Sequence, residues 1–376
     1  MLFKNAFVFR TELRQFVFGG FHTENGRFAD VFSGETQEDG RDLEGTYVIP
    51  GLVDAHTHGA VGADFSDGDL EGLTRMGTYL AENGITSFAP TSMTLPYGQL
   101  SAAFATALAL KKERPGNCAR CAGIHMEGPF FSEKKKGAQN AAYLKLPDFE
   151  AFRGLYDGCE GLIRIVDAAP ELPGAAEFAG KAAGLCTVSA AHTDTSYQEA
   201  AAFYDAGASH LTHLFNAMPP LHHRNPGVIG AAAERENVTA ELICDGQHVH
   251  PSAVRIAFSL FPDRICLISD ALRCCGMPDG TYELGGQNVR LKGGIARLED
   301  GTIAGAASNL YQDMCNAISF GIPVAQAIIA ATLRPAEVLG VSEDTGSVST
   351  GKYADFIVCD KDLALREVYM DGIKIV

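Results

Sequence analysis

Short apolar runs rich in β-forming residues recur along the chain: "YVIPGLVDAH", "TSFAPTS", "CAGIHMEG", "LIRIVDAAPE", "LCTVSAAHT", "HLTHLFNA", "TAELICDGQH" and "ICLISDA". Between most of them lie alanine-rich stretches with helical spacing, at 69–83, 100–112, 175–184, 196–207 and 251–261, several ending in a glycine or asparagine suited to a helix C-terminus. Eight alternating strand and helix units predict an α/β protein with a parallel (β/α)8 barrel over residues 50–345. The chain ends lack helical spacing and show strand-like runs with turn signals, such as "NGR", "EDG" and "MDGIKIV". Residues 1–49 and 346–376 are therefore expected to meet as one small β-sandwich module. The glycine-punctuated "GTYELGGQNVRLKGGIARLEDGTIAG" predicts a β-hairpin inserted around 281–305, placed to cover the barrel mouth.

Polar residues cluster where such a barrel carries its chemistry. His56, His58, Glu127, His192, His213, His248 and Asp270 all fall at or just after the C-terminal end of a strand run, the first two sharing one run. In a strand, residues i and i+2 face the same side, so His56 and His58 can reach a common point. An isolated His-x-His also serves as a hydrogen-bonded turn, and the rest of the set decides between the readings. A hydrolytic zinc or iron site wants three or more nitrogen and oxygen ligands with one position open to water. Glu127, His192 and His213 supply that set, and His56 with His58 can add a second metal. Asp270 is the remaining strand-end carboxylate, positioned either to move protons or to cap the segment "ALRCC" that follows.

Composition narrows the partners. With 376 residues, 46% hydrophobic and 20% charged, the chain has an ordinary globular composition and enough length for a barrel plus an accessory module. A net charge of −16 argues against nucleic acid or an anionic membrane as main partner, since both demand a basic face. No run of eighteen apolar residues occurs, and charges interrupt the first sixteen residues, so a cytoplasmic protein is expected. Ten cysteines without a regular framework fit reduced thiols, and the lone C-A-R-C at 118–121 has no second pair to complete a zinc ribbon.

The ordered motifs "HTHG", "HMEGPF", "HLFNAM", "NPGVIG", "DGQHV", "ISDA" and "PDGTYELGG" make the stretch from Ile49 to Gly351 similar to the amidohydrolase superfamily and, within it, to the N-acetylglucosamine-6-phosphate deacetylase family. The resemblance implies release of acetate from N-acetyl-D-glucosamine 6-phosphate in amino-sugar catabolism, with a divalent metal, zinc or iron, at one or two sites per subunit. It implies Glu127, His192 and His213 as ligands, joined by His56 and His58, and Asp270 as general base and then acid. Ala138, Gln139, Asn216, Ala217, Arg224, His248, Ile303, Ala304 and Gly305 fall on positions that bind the sugar phosphate in that family. Arg224 is expected to reach the neighbouring active site of a homodimer. Gln139 departs from the pattern, because the family usually carries a histidine there against the substrate carbonyl; a glutamine amide still donates a hydrogen bond but carries no charge.

Two alternatives stand beside this reading. One is another amidohydrolase, a deaminase or cyclic-amide hydrolase; those with two metals often bridge them through a modified lysine on strand four, and "LIRIVDAAPE" has none. The other is a catalytically inactive homologue that only binds a sugar phosphate.

Overall fold

The computed structural model describes all 376 residues, Met1–Val376. Its central sheet contains β1 (Leu52–Thr57), β2 (Ile85–Ser92), β3 (Ile124–Phe130), β4 (Ile163–Ala168), β5 (Thr187–Ala190), β6 (His210–Leu211), β7 (Thr239–Ile243) and β8 (Ile265–Ile268). They pair in parallel in sequence order, from β1 beside β2 to β7 beside β8. Each of the eight apolar runs thus supplies one barrel strand, and residues of β1, β2 and β3 are buried along their whole length, as expected of strands covered on both faces. The first run divides in two: Tyr47–Pro50 joins the terminal sheet, and the barrel strand begins at Leu52. Gly51 sits at the break, where a side chain would collide with Thr86 at 2.2 Å, while its amide donates to Asp355 O at 3.0 Å.

A helix follows every strand. The five anticipated from spacing are Leu70–Glu82, Tyr97–Glu113, Ala175–Ala182, Tyr197–Asp205 and Pro251–Leu260. Their starts follow local chemistry: Asp69 accepts from the amides of Glu71 and Gly72, Ser196 and Glu199 form a capping box, and Pro251 occupies the first turn. Phe149–Gly158, Gly227–Ala233 and Leu310–Ser319 complete the eight, and two further helices, Val324–Ala331 and Leu333–Val338, lead out of the barrel.

The ring closes between β8 and β1 just beyond the strands themselves. The amide of Asp270 donates to His56 O at 2.9 Å, the amide of His58 to Ala271 O at 2.9 Å, and Ser269 Oγ donates to Asp54 Oδ2 at 2.6 Å. The same backbone bonds that close the sheet therefore set His56, His58 and Asp270 side by side.

The insertion after β8 is a four-stranded antiparallel meander, Gly280–Leu284, Gln287–Lys292, Ile295–Arg297 and Ile303–Ala306, rather than a single hairpin. The turn chemistry explains the difference. Two glycine pairs, 285–286 and 293–294, take positive φ at both residues, the backbone of tight two-residue turns, and Gly301 makes a third turn at φ 90°. Three turns make four strands.

Both chain ends join one eight-stranded sheet, in which Phe356–Cys359 pairs with Tyr47–Pro50, and the latter with Leu2–Arg10. Its own core is aromatic, with Phe3, Phe21, Phe28, Phe356 and Tyr369 packed together. Arg120, on the short strand beside β2, fastens this sheet to the barrel. Its guanidinium pairs with Asp355 at 2.6 Å and Asp371 at 2.5 Å and lies 4.2 Å above the Tyr353 ring. Burial pushes the Asp355 carboxyl up to about 6, with Arg120 pulling the other way. Removing the cation leaves a buried carboxylate unpaired, so Arg120→Ala is expected to cost about 3–5 kcal/mol of unfolding free energy at pH 8. At pH 5 Asp355 takes up a proton that the unfolded chain holds less tightly, so the loss shrinks there. Denaturant unfolding at both pH values checks this; equal losses contradict it.

Candidate metal centre and active site

The strand ends bring the anticipated groups to one point. Glu127 lies within β3, three residues before its last, and is 2% exposed. Its Oε1 is 3.0 Å from His192 Nε2 and 3.2 Å from His213 Nε2, and those two nitrogens are 3.1 Å apart. Its Oε2 is 3.4 Å from His58 Nε2, which in turn lies 3.3 Å from His56 Nε2. Asp270 Oδ1 is 3.3 Å from His58 Nε2 and 3.5 Å from His56 Nε2. Ligands held at about 2.1 Å from one ion, at angles between square and tetrahedral, stand roughly 3.0–3.4 Å apart. Two groups, Glu127 with His192 and His213, and Glu127 with His56 and His58, can each hold a metal ion.

The far side of each ring supports that role. His192 Nδ1 faces the carbonyl of Lys135 at 2.8 Å and His58 Nδ1 the carbonyl of Thr91 at 3.1 Å. A carbonyl only accepts, so each Nδ1 carries the hydrogen and each Nε2 can offer its lone pair inward. His56 is oriented the same way, its Nδ1 lying 2.9 Å from Glu241 Oε2.

Backbone strain aims these side chains. His192, His213 and Asp270, the residues just past the ends of β5, β6 and β8, have φ of 44°, 29° and 49°. Left-handed backbone costs a residue with a side chain about 1–2 kcal/mol and redirects it across the barrel mouth instead of along the strand.

A cavity of about 320 Å³ opens above this cluster. Its walls include His58, Glu127, His192, His213 and Asp270, together with Ala138, Gln139, Asn216, Ala217, His248, Ile303 and Ala304. His56 lies fully buried behind His58. Gly305 is not part of the wall; a side chain there would meet Leu272 at 2.8 Å, so it serves close packing. Arg224 is exposed on the 219–226 loop, with Nη1 2.9 Å from His223 Nε2, and does not line the cavity of its own chain. Gln139 is held from both sides: Thr94 N donates to its Oε1 at 2.7 Å, and its Nε2 donates to Glu127 Oε2 at 2.6 Å. Its amide therefore steadies the central carboxylate. His248 is set by Asp245, whose Oδ2 lies 2.7 Å from its Nδ1.

The sequence reading missed Lys134 and Lys135, which also line the cavity, and the buried Glu241, His125 and Asp167 beneath it. A lone acidic residue inside the apolar "TAELI" run was the available signal for Glu241. Cys118 and Cys121 hold no metal together. Both are buried, their thiols approach different carbonyls, those of Ala119 and Gly123, and burial pushes both up to about 12.

A parallel barrel with histidines and carboxylates converging at its strand ends defines a hydrolytic enzyme built around a metal-binding cluster. The Amidohydrolase family profile matches residues 47–373. An N-acetylglucosamine-6-phosphate deacetylase from Bacillus subtilis is 38% identical over 320 residues, covering 84% of this chain and 81% of that protein. An N-acetylgalactosamine-6-phosphate deacetylase from Escherichia coli is 34% identical over 334 residues, covering 88% of each. The solved structure of a variant N-acetyl-D-glucosamine-6-phosphate deacetylase from Mycobacterium smegmatis, in complex with N-acetyl-D-glucosamine 6-phosphate, superposes with a TM-score of 0.93 at 31% identity, over 100% of this chain and 99% of that one. The chain belongs to the amidohydrolase family.

The electrostatics of the cluster carry a pH consequence. Burial pulls His58 and His213 down, but the Asp270 and Glu127 carboxylates beside them more than offset it and raise both to about 9. Burial likewise pushes Glu127 up, and His192 and His213 hold it well below the usual carboxylate range. A histidine that is protonated at neutral pH must release its proton before it can bind a metal. Zinc uptake by chelator-treated protein is therefore expected to release protons at pH 7 and to tighten as pH rises toward 9. Calorimetry in buffers of different ionisation enthalpy measures this; uptake without proton release contradicts it.

Proposed function

We propose that this chain hydrolyses the acetamide of N-acetyl-D-glucosamine 6-phosphate to acetate and D-glucosamine 6-phosphate. The observation that carries the reading is Asp270, which faces the cavity at the point where Glu127, His58, His192 and His213 converge. The relatives named for this reaction and the solved complex with the sugar phosphate support the substrate class. The relative named for the galactosamine epimer makes that sugar the first competitor to test.

The chemistry supplied by a bound divalent ion, zinc or iron, is polarisation of the acetyl carbonyl and acidification of water. Glu127, His192 and His213 would hold one ion, and His56 and His58, sharing Glu127, a second. Burial pushes Asp270 up, but the charges of His56 and His58 more than offset this and hold it below its ordinary value, so it is ionised at neutral pH. It accepts the proton of the attacking water and then delivers it to the amine nitrogen as the C–N bond breaks. The second hydrogen of the Gln139 amide is the donor proposed for the acetyl oxygen. Asn216, Ala217, His248, Ile303 and Ala304 are proposed to hold the sugar phosphate, with Gly305 packing behind them.

The phosphate calls for a cation in an acidic protein. The exposed loop bearing Arg224, next to an exposed Leu221, fits a subunit interface through which Arg224 reaches the partner's cavity as a bidentate donor in a homodimer. The ten thiols are unpaired, the state a reducing cytoplasm maintains.

Asp270→Asn tests the mechanism, because it preserves shape and removes both proton transfers. Its kcat for acetate release is expected to fall by at least about 10³-fold with metal content and KM little changed. An asparagine caps as well as an aspartate, so a kcat within about tenfold of the parent assigns Asp270 to capping instead. Mixing that variant with Arg224→Ala should restore part of the activity in hybrid dimers; verified hybrids without recovery confine Arg224 to its own subunit.

A further inference from the structure

Beneath the histidines that face the cavity lies a fully buried polar layer that the proton transfers above do not use. Its centre is Glu241 on β7, 0% exposed. Glu241 Oε2 lies 2.9 Å from His56 Nδ1 and also accepts from the backbone amide of His213 at 3.1 Å. Its Oε1 lies 3.3 Å from His210 Nε2 and 3.7 Å from His125 Nδ1. One carboxylate therefore touches a side chain of one half of the cluster and the backbone of the other.

His56, His125 and Glu241 are close enough to suggest a metal group of their own. The partners of His125 argue otherwise. Its Nδ1 faces the Ala55 carbonyl at 3.2 Å and its Nε2 faces Asp167 Oδ1 at 3.0 Å. Both partners are acceptors, so both ring nitrogens carry hydrogen and neither has a lone pair to give. His125 is thus held at both ring nitrogens, between Asp167 on one side and the Ala55 carbonyl and Glu241 on the other. Glu241 is left with an orienting task.

We propose that Glu241 is a positioning residue for the His56–His58 half of the metal centre. It keeps the hydrogen of His56 on Nδ1 and the lone pair of Nε2 directed at the point shared with His58 Nε2, 3.3 Å away. Through the His213 amide it holds that half in register with Glu127, His192 and His213. A carboxylate behind a ligating imidazole fixes its tautomer and raises its basicity, and losing such a partner typically costs about 10–100-fold in metal affinity. This inference rests on the reading of the cluster as a metal centre.

The test is a zinc titration of chelator-treated protein. The parent is expected to show two classes of site, one of which His58→Ala removes. Glu241→Gln, which keeps the shape and removes the charge, is expected to weaken that same class by roughly 10–100-fold and leave the other unchanged. A variant that matches the parent in both classes, or that weakens both equally, overturns the role of Glu241 while leaving the metal reading standing. A parent that takes up no zinc overturns both. A second measurement needs no Glu241 variant: in long-range proton–nitrogen spectra of the zinc-loaded parent, His56, assigned by His56→Gln, should carry its hydrogen on Nδ1. A hydrogen on Nε2 overturns the proposal.

Discussion

Glu127 is an ionised carboxylate almost without water contact, and such a charge persists in a protein interior only if the surrounding groups replace its solvent. Three histidine nitrogens and the Gln139 amide surround its two oxygens. Each comes from a different segment: just past the ends of β1, β5 and β6, and the loop after β3. The positions of all four are therefore correlated, because displacing any one leaves part of a buried charge unpaired. Closure of the barrel is what lets these segments meet, and the bonds that close it between β8 and β1 include the backbone of His56, His58 and Asp270.

That arrangement stores strain where chemistry is expected. His192, His213 and Asp270 occupy left-handed backbone, which a barrel designed only for stability would avoid. The surrounding polar network makes the strain tolerable: Lys135 O holds His192, and Glu241 accepts from the His213 amide. Stability and site geometry are thus set by the same contacts. Gln139 illustrates the economy of the design, since its amide both fixes the Glu127 carboxylate and reaches the cavity wall.

Much of this was legible from the chain alone, for a physical reason. Strands covered on both faces leave continuous apolar runs, and strand-end ligands sit at fixed offsets after them, so His56, His58, Glu127, His192, His213 and Asp270 could all be placed on one rim. What escaped depends on contacts between distant segments. Glu241 on β7 finds His56 on β1, two strands round the ring but 185 residues away in sequence, and no local pattern encodes that pairing. The family resemblance makes Gln139 a substrate contact; only the fold shows its amide engaged by Glu127 and Thr94. The short Gly227–Ala233 helix was missed because two glycines in seven residues suppress any helical signal, and burial against its neighbours supplies the stability that propensity does not. The meander at 280–306 has more strands than the one expected hairpin because two glycine pairs and Gly301 each make a separate turn.

One shared carboxylate organises the metal-binding cluster, so the metal content of Glu127→Ala reads how far the cluster depends on it. Protein purified from zinc-supplemented culture is analysed by elemental mass spectrometry alongside the parent, after confirming that the variant is folded. The variant is expected to lose the bound metal together with acetate-releasing activity, because His192 and His213 alone make an incomplete ligand set and His56 with His58 lose the oxygen they share. A folded variant that retains the metal stoichiometry of the parent contradicts this.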